Sequence, residues 1–151
     1  MADVALDPRS AAKVPPALRR IFGPDAVSTN FVTETRFGKR PVWKVASPDG
    51  IRRGMAMADE VPGKSERITI LVAAGTDGLL KDLEILAYRE SYGGEVAQES
   101  WRAQFRGRKA GDPLRVGRQI RNISGATIST NSVAGGVARC LPVLATLGGN
   151  P

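Results

Sequence analysis

Two β-prone runs, Ile68 to Ala73 and Leu79 to Glu90, are separated only by Ala74 and the turn Gly75-Thr76-Asp77-Gly78. A gap this short folds the chain back on itself, so the two runs predict an antiparallel hairpin, whereas parallel neighbours need a crossover of roughly a dozen residues or more. Three further β-prone runs precede it: Phe31 to Thr35, Pro41 to Ala46 and Ile51 to Ala58. Their breaks are Pro48-Asp49-Gly50 and Pro62-Gly63, in which Pro presets φ and Gly accepts the left-handed step. Adjacent strands joined by short turns argue against a doubly wound parallel fold. On the last run Leu83, Ile85 and Ala87 fall on one face and Asp82, Glu84 and Tyr88 on the other, which predicts a sheet with one buried side.

Helical spacing appears in three places. Ala11 to Phe22 predicts a short helix, interrupted near Pro15 and Pro16 and ended by Gly23-Pro24. Val96 to Arg106 places Ala97, Trp101 and Phe105 on one stripe. Thr130 to Leu147 places Val133, Val137, Leu141 and Leu144 on one face, with Pro142 expected to kink or shorten the helix. The expected class is α+β, an antiparallel sheet packed with a few helices in a single domain. Residues 1–30 read as a lead-in to a main domain at residues 31–151.

Composition then removes whole classes of chemistry. The 151 residues include no histidine, which excludes Ser-His-Asp and Cys-His catalysis and His-ligated zinc or haem. Cys140 is the single cysteine and lies in an apolar helical pattern, so it reads as a small core residue and no cysteine-rich metal site is expected. No apolar run approaches the roughly 18–20 residues needed to span a bilayer. Met1 to Ser10 lacks the basic-then-apolar layout of a secretory signal. The net charge of +7 draws on Arg102, Arg106, Arg108, Lys109, Arg115, Arg118 and Arg121. Such a patch attracts polyanions, but no RNP-type aromatic signature or zinc-finger spacing accompanies it, and no nucleic-acid partner is expected. A chain this poor in catalytic side chains either binds something or borrows its chemistry from a cofactor.

The segment Ile120 to Asn131 is where a cofactor is expected. Hydroxyls at Ser124, Thr127, Ser129 and Thr130 crowd around Gly125, immediately before the last helical pattern. Gly125 permits a tight turn and a close approach by a ligand. The free N–H groups and dipole of a helix start favour an anion, and Arg115, Arg118 or Arg121 could neutralise charge. A Ser/Thr cluster ahead of a helix also reads as a cap, with Ser129 or Thr130 satisfying the orphan donors. Spacing alone leaves the two readings open.

Ser124-Gly-Ala-Thr127 resembles the signature of the FMN-binding domain family, which includes the C component of the sodium-pumping NADH:quinone oxidoreductase, the G component of the Rnf complex and many small exported flavoproteins. The resemblance extends from about Pro41 to Arg139. It takes in Tyr88-Arg-Glu-Ser-Tyr-Gly-Gly-Glu95, then Trp101 and Gln104-Phe105-Arg106-Gly107-Arg108, then Ile123 to Thr130, in the family's order. It implies that Thr127 is esterified by the FMN phosphate, through an FAD:protein FMN transferase that uses Mg²⁺. It implies a cofactor site made of Ser124, Gly125, Ala126, Thr127, Ser129 and Thr130, with the loop of Glu90, Tyr92 and Gly93 against the flavin. Trp101 and Phe105 either border the isoalloxazine or belong to the core. Many flavinylated members carry an acid three positions before the Ser, where this chain has Arg121. That departure leaves open a noncovalent FMN whose phosphate pairs with Arg121.

The expected function is an FMN-carrying electron-transfer domain, more a carrier than a turnover enzyme, with membrane or soluble redox partners. Family habit implies a periplasmic or exported, membrane-associated protein whose leader is absent from this chain. Two other functions remain on this reading: a small FMN-dependent reductase, and a flavin-free module that binds an anionic partner through its basic face.

Overall fold

Asp7 and Pro8 start the first helix. In the computed structural model, which describes residues 2–148, Asp7 accepts the Ser10 N–H at 2.9 Å and the Ser10 hydroxyl at 3.0 Å. Pro8 takes the first helical position, where its missing N–H costs nothing. Helix α1 spans Pro8–Phe22 without interruption at Pro15 or Pro16, contrary to the break expected there. Two internal hydrogen bonds are lost, but Val14, Ala17, Leu18 and Phe22 are buried against the sheet, and that burial offsets the loss. Gly23 (φ 116°) ends the helix, donating its N–H to Arg19 O at 3.0 Å.

The five strands form one antiparallel meander in sequence order: β1 Val27–Thr35, β2 Gly38–Ala46, β3 Arg52–Pro62, β4 Arg67–Gly75 and β5 Leu80–Ala87. The fold class is the α+β arrangement that the short turns predict. The expectation of one buried side is corrected. Helix α3, Thr127–Gly148, packs on one face over Val61, Ile70, Val72 and Leu83. Helix α1, from the lead-in, packs on the other over Val45, Leu71, Ala73 and Leu86. Register shifts at Thr69/Ile70 and Ala73/Ala74 let β5 bulge, so its simple alternation fails. Leu80 and Leu83 face the α3 side, while Leu86 turns to the α1 side.

The expected helix over Val96 to Arg106 is three short pieces: a 3₁₀ turn at Gly94–Ala97, one α turn, α2, at Glu99–Arg102, and a 3₁₀ turn at Ala103–Phe105. Gln98 is extended (φ −70°, ψ 140°) and resets the periodicity, so Val96 is buried in place of Ala97. Trp101 and Phe105 meet edge to face at 5.1 Å inside the core. Helix α3 begins three residues earlier than the expected Thr130 and continues through Pro142, with Leu141 and Leu144 anchored on either side of it. A buried ion pair, Arg40 Nε to Asp59 Oδ1 at 2.7 Å, ties β2 to β3, and Arg139 of α3 reaches the same carboxylate at 3.8 Å. No described helix is long and apolar enough to cross a membrane.

Candidate functional site

Three chain segments that are distant in sequence meet at the start of α3. They are the β3–β4 turn at Gly63 to Glu66, the stretch Tyr88 to Gly94 that follows β5, and the approach to α3 from Ile120 to Ala126. Between them lies a cleft of about 340 Å³, lined by Lys64, Glu90 and Tyr92 on one side and by Gly125 to Ser129 on the other. A larger groove of about 520 Å³ runs between the β1–β2 hairpin and the second half of α3, past Phe37, Arg139 and Pro142. It contains none of the motif residues, so the smaller cleft is the chemically relevant one.

The cleft's floor is built by a turn. Ala126 N–H donates to Ile123 O at 2.9 Å, closing residues 123–126, and Gly125 holds the positive φ (79°) that this turn requires. Thr127 is then the first residue of α3. The N–H groups of Thr127, Ile128 and Ser129 find no acceptor among the described residues, so the helix start presents orphan donors and a positive dipole end to the cleft. Thr127 is exposed, and Asn122 Nδ2–H donates to its hydroxyl oxygen at 3.3 Å.

The other hydroxyls play different parts. Ser129 and Thr130 lie inside the first turn of α3, which excludes the capping role open to them from sequence. Thr130 is fully buried, with Oγ1 3.0 Å from Asn122 Oδ1 and from Thr127 O. It braces the Asn122 amide and does not face the cleft. Ser129 is 5% exposed and lies 3.2 Å from the Tyr88 hydroxyl, which donates to Tyr92 O. Ser124 is exposed and lies off the cleft wall.

Tyr88 thereby fastens the Gly-rich loop to α3. Gly93, at φ 85°, allows the contact: a Cβ there would stand 2.9 Å from Ala126 Cβ. Glu90 lines the cleft and accepts backbone N–H groups from Glu66 at 2.9 Å and Ser65 at 2.6 Å. These two donors hold its carboxyl below the ordinary carboxylate range, so it is ionised at neutral pH.

The structure does not bring Arg121 to the cleft. Its guanidinium donates to Ser100 O at 3.2 Å and its N–H to Gln104 Oε1 at 2.8 Å, while its own carbonyl accepts from the Trp101 indole at 2.8 Å. These contacts hold it against the 98–105 segment. Arg115 and Arg118 are likewise placed away from the cleft. The cation that lines it is Lys64, which sequence reading missed, along with Tyr88, Asn122 and Ile128. Lys64 follows a Pro-Gly break, a signal only of a turn, and simple strand alternation assigns Tyr88 to a solvent face. Trp101 and Phe105 are core residues and do not border the cleft. Among the described residues no three potential ligands gather as a metal site.

The arrangement holds no paired acid and base. It offers orphan amides, an exposed hydroxyl and one cation around a cavity, which suits a phosphorylated ligand. The FMN-binding domain family matches residues 63–142, more than half of the 151-residue chain, and every cleft-lining residue falls within that span. Over 115 residues the chain is 29% identical to the G component of the proton-translocating ferredoxin:NAD(+) oxidoreductase complex of Clostridium ljungdahlii. That alignment covers 71% of this chain and 62% of the relative, so the chain spans less than two thirds of that protein's length. The crystal structure of Shewanella oneidensis NqrC shares the fold, with a TM-score of 0.55 at 17% identity over 80% of this chain and 66% of that one. Fold and cleft together define an α+β domain whose motif cleft carries helix-start donors, an exposed hydroxyl and one lysine. The chain belongs to the FMN-binding domain family, and FMN is its cofactor.

Proposed function

We propose that this chain is an electron-transfer domain whose FMN is joined by a phosphoester to Thr127. The observation that carries this reading is the placement of Thr127: an exposed hydroxyl on the first residue of α3, beside three N–H groups without acceptors and at the wall of the cleft. Bound FMN supplies one- and two-electron chemistry, which this set of side chains lacks.

The chain's own residues prepare the attachment. Asn122 donates to Thr127 Oγ1 and is itself held by Thr130, so the Thr127 hydroxyl is oriented by a braced amide. Among the described residues no base lies within hydrogen-bond distance of the Thr127 hydroxyl, so its activation falls to a partner enzyme. A flavin transferase would join Thr127 Oγ1 to the phosphorus of the FMN half of FAD. The pyrophosphate bond breaks, AMP leaves and the hydroxyl proton is lost. The orphan amides at the start of α3 then stabilise the remaining negative charge. The Clostridium ljungdahlii relative belongs to a ferredoxin:NAD(+) oxidoreductase complex. By that analogy the redox partners here are membrane-bound, and the family resemblance of the Ser124 to Thr127 motif adds the exported side of the membrane as the place where the domain works.

Intact mass and visible absorbance after co-expression with a flavin transferase test the reading. The wild type is expected to gain the mass of esterified FMN and to stay yellow after denaturation, and Thr127→Ala to gain nothing. Yellow lost on denaturation would overturn the ester and leave noncovalent FMN. Protein that takes up no FMN under either condition would overturn the function.

A further inference from the structure

The cleft has one cation and one carboxylate on its walls, Lys64 and Glu90, and a single device sets both. Lys64 and Ser65 form the tip of the β3–β4 turn, which closes through Gly63 N–H to Glu66 O at 2.8 Å. Glu90, arriving from beyond β5, grips that tip with one oxygen, Oε1, which accepts from both Ser65 and Glu66. Gly63 leaves room for the grip, since a Cβ there would stand 3.4 Å from the Glu90 carboxyl carbon and collide with the oxygen. The turn is therefore clamped from below, and Lys64 stands over the cleft opposite the start of α3.

Lys64 makes no salt bridge among the described residues, and its charge acts only at longer range on the Glu90 carboxylate beside it. No arginine lines the cleft beside the orphan amides of Thr127 to Ser129, and the Arg121 guanidinium donates to Ser100 O at 3.2 Å. We propose that Lys64 is the counter-ion of the FMN phosphate and that Glu90 is a positioning residue, holding the turn that carries it. The proposal rests on the FMN reading of this cleft. The opposing position of Lys64 gives the phosphate a cation on one side and helix-start donors on the other.

Two preparations of the full chain test it. The first, made without a transferase, is titrated with FMN, riboflavin and inorganic phosphate, following the amide resonances of Thr127 to Ser129. The second, loaded in the presence of a transferase, is examined by phosphorus NMR. In Lys64→Met, affinity for FMN and phosphate should fall about tenfold while riboflavin affinity holds, and the phosphorus resonance of the loaded protein should move. Lys64→Arg should retain most of the FMN affinity. Glu90→Ala should weaken FMN in the same way and speed hydrogen exchange at the Ser65 and Glu66 amides. Glu90→Gln, which keeps an acceptor oxygen, should lose less.

Unchanged FMN affinity together with an unchanged phosphorus resonance in Lys64→Met would overturn the assignment. Equal loss of FMN and riboflavin would also overturn it, by moving Lys64 to the ring. Failure of the FMN reading itself is distinguishable, because the wild type would then take up no flavin in either preparation.

Discussion

Gly93 shows how much a single residue decides at this site. Its φ of 85° lies in the left-handed region, and its missing side chain lets the loop after β5 lie on the first turn of α3. An added methyl would be strained by that φ and would also press on Ala126 Cβ at 2.9 Å. Gly93→Ala is therefore expected to cost about 1–3 kcal/mol, read as a lowered urea midpoint at constant slope. Because the loop carries Tyr92 toward the cleft and takes the Tyr88 hydrogen bond, the same variant should also weaken FMN binding. Loss of stability with unchanged FMN affinity would show that the loop contact does not shape the cleft. Arg121 is the opposite case: its type and sequence position suggest a phosphate partner, yet one carbonyl, Ser100 O, takes its guanidinium elsewhere.

Among the elements, the attachment of α3 to the sheet is the join on which the site depends, since α3 begins at Thr127. One part of that join is ionic. Asp59 on β3 pairs with Arg40 on β2 at 2.7 Å with both side chains 3% exposed, and it attracts Arg139 of α3 at 3.8 Å. Removing only the carboxylate strands a buried guanidinium, so Asp59→Ala should destabilise the fold by about 3–5 kcal/mol. Replacing both partners with apolar residues, Arg40→Met with Asp59→Leu, should cost less than the single change. Equilibrium urea unfolding of the two variants checks the order, and a double variant weaker than Asp59→Ala would refute the account. The ion pair was not legible in the sequence: Arg40 and Asp59 sit in strands whose polar residues normally point to water, and only the pairing of β2 with β3 under α3 places them together. The broken helix at 94–105 has a similar cause, because the extended Gln98 serves the packing of Val96 and Trp101 and overrides local helical spacing.

For the molecule as a whole, charge predicts a pH response. The chain has no histidine, and the Cys140 thiol is buried and pushed up by desolvation, so neither supplies a transition near neutral pH. Three carboxylates, Asp7 and Asp25 exposed and Glu90 half-buried, are held below their ordinary values of 3.8 for Asp and 4.5 for Glu. Asp7 is lowered chiefly by the Ser10 N–H, Asp25 by the Arg53 guanidinium, and Glu90 by the Glu66 N–H. Folding favours their charged forms, so their contribution is full above the unfolded values and is lost as pH falls through the lower folded ones. Thermal midpoints should be nearly level from about pH 6 to 8 and should drop below about pH 4.5. Glu90→Gln should flatten part of that fall, and a wild-type midpoint that rises on acidification would contradict the assignment.

Local signals in the chain were enough for the fold class and for the motif. Turns such as Gly75-Thr76-Asp77-Gly78 act over a few residues, and each leaves antiparallel pairing as the one way for the next strand to return. The alternation read from the last strand pointed to one buried face, whereas β4 is buried on both, under α3 on one side and α1 on the other. The Ser-Gly-Ala-Thr segment was also readable, because a turn glycine and a helix start are local features. What only the tertiary structure decided was which charged groups face the cleft. Lys64, Glu90 and Thr127 come from three separate segments, and their meeting depends on sheet register, a bulged β5 and the seating of α3. Those are long-range packing outcomes, set by which surfaces can be buried together, and no spacing along the chain encodes them on its own.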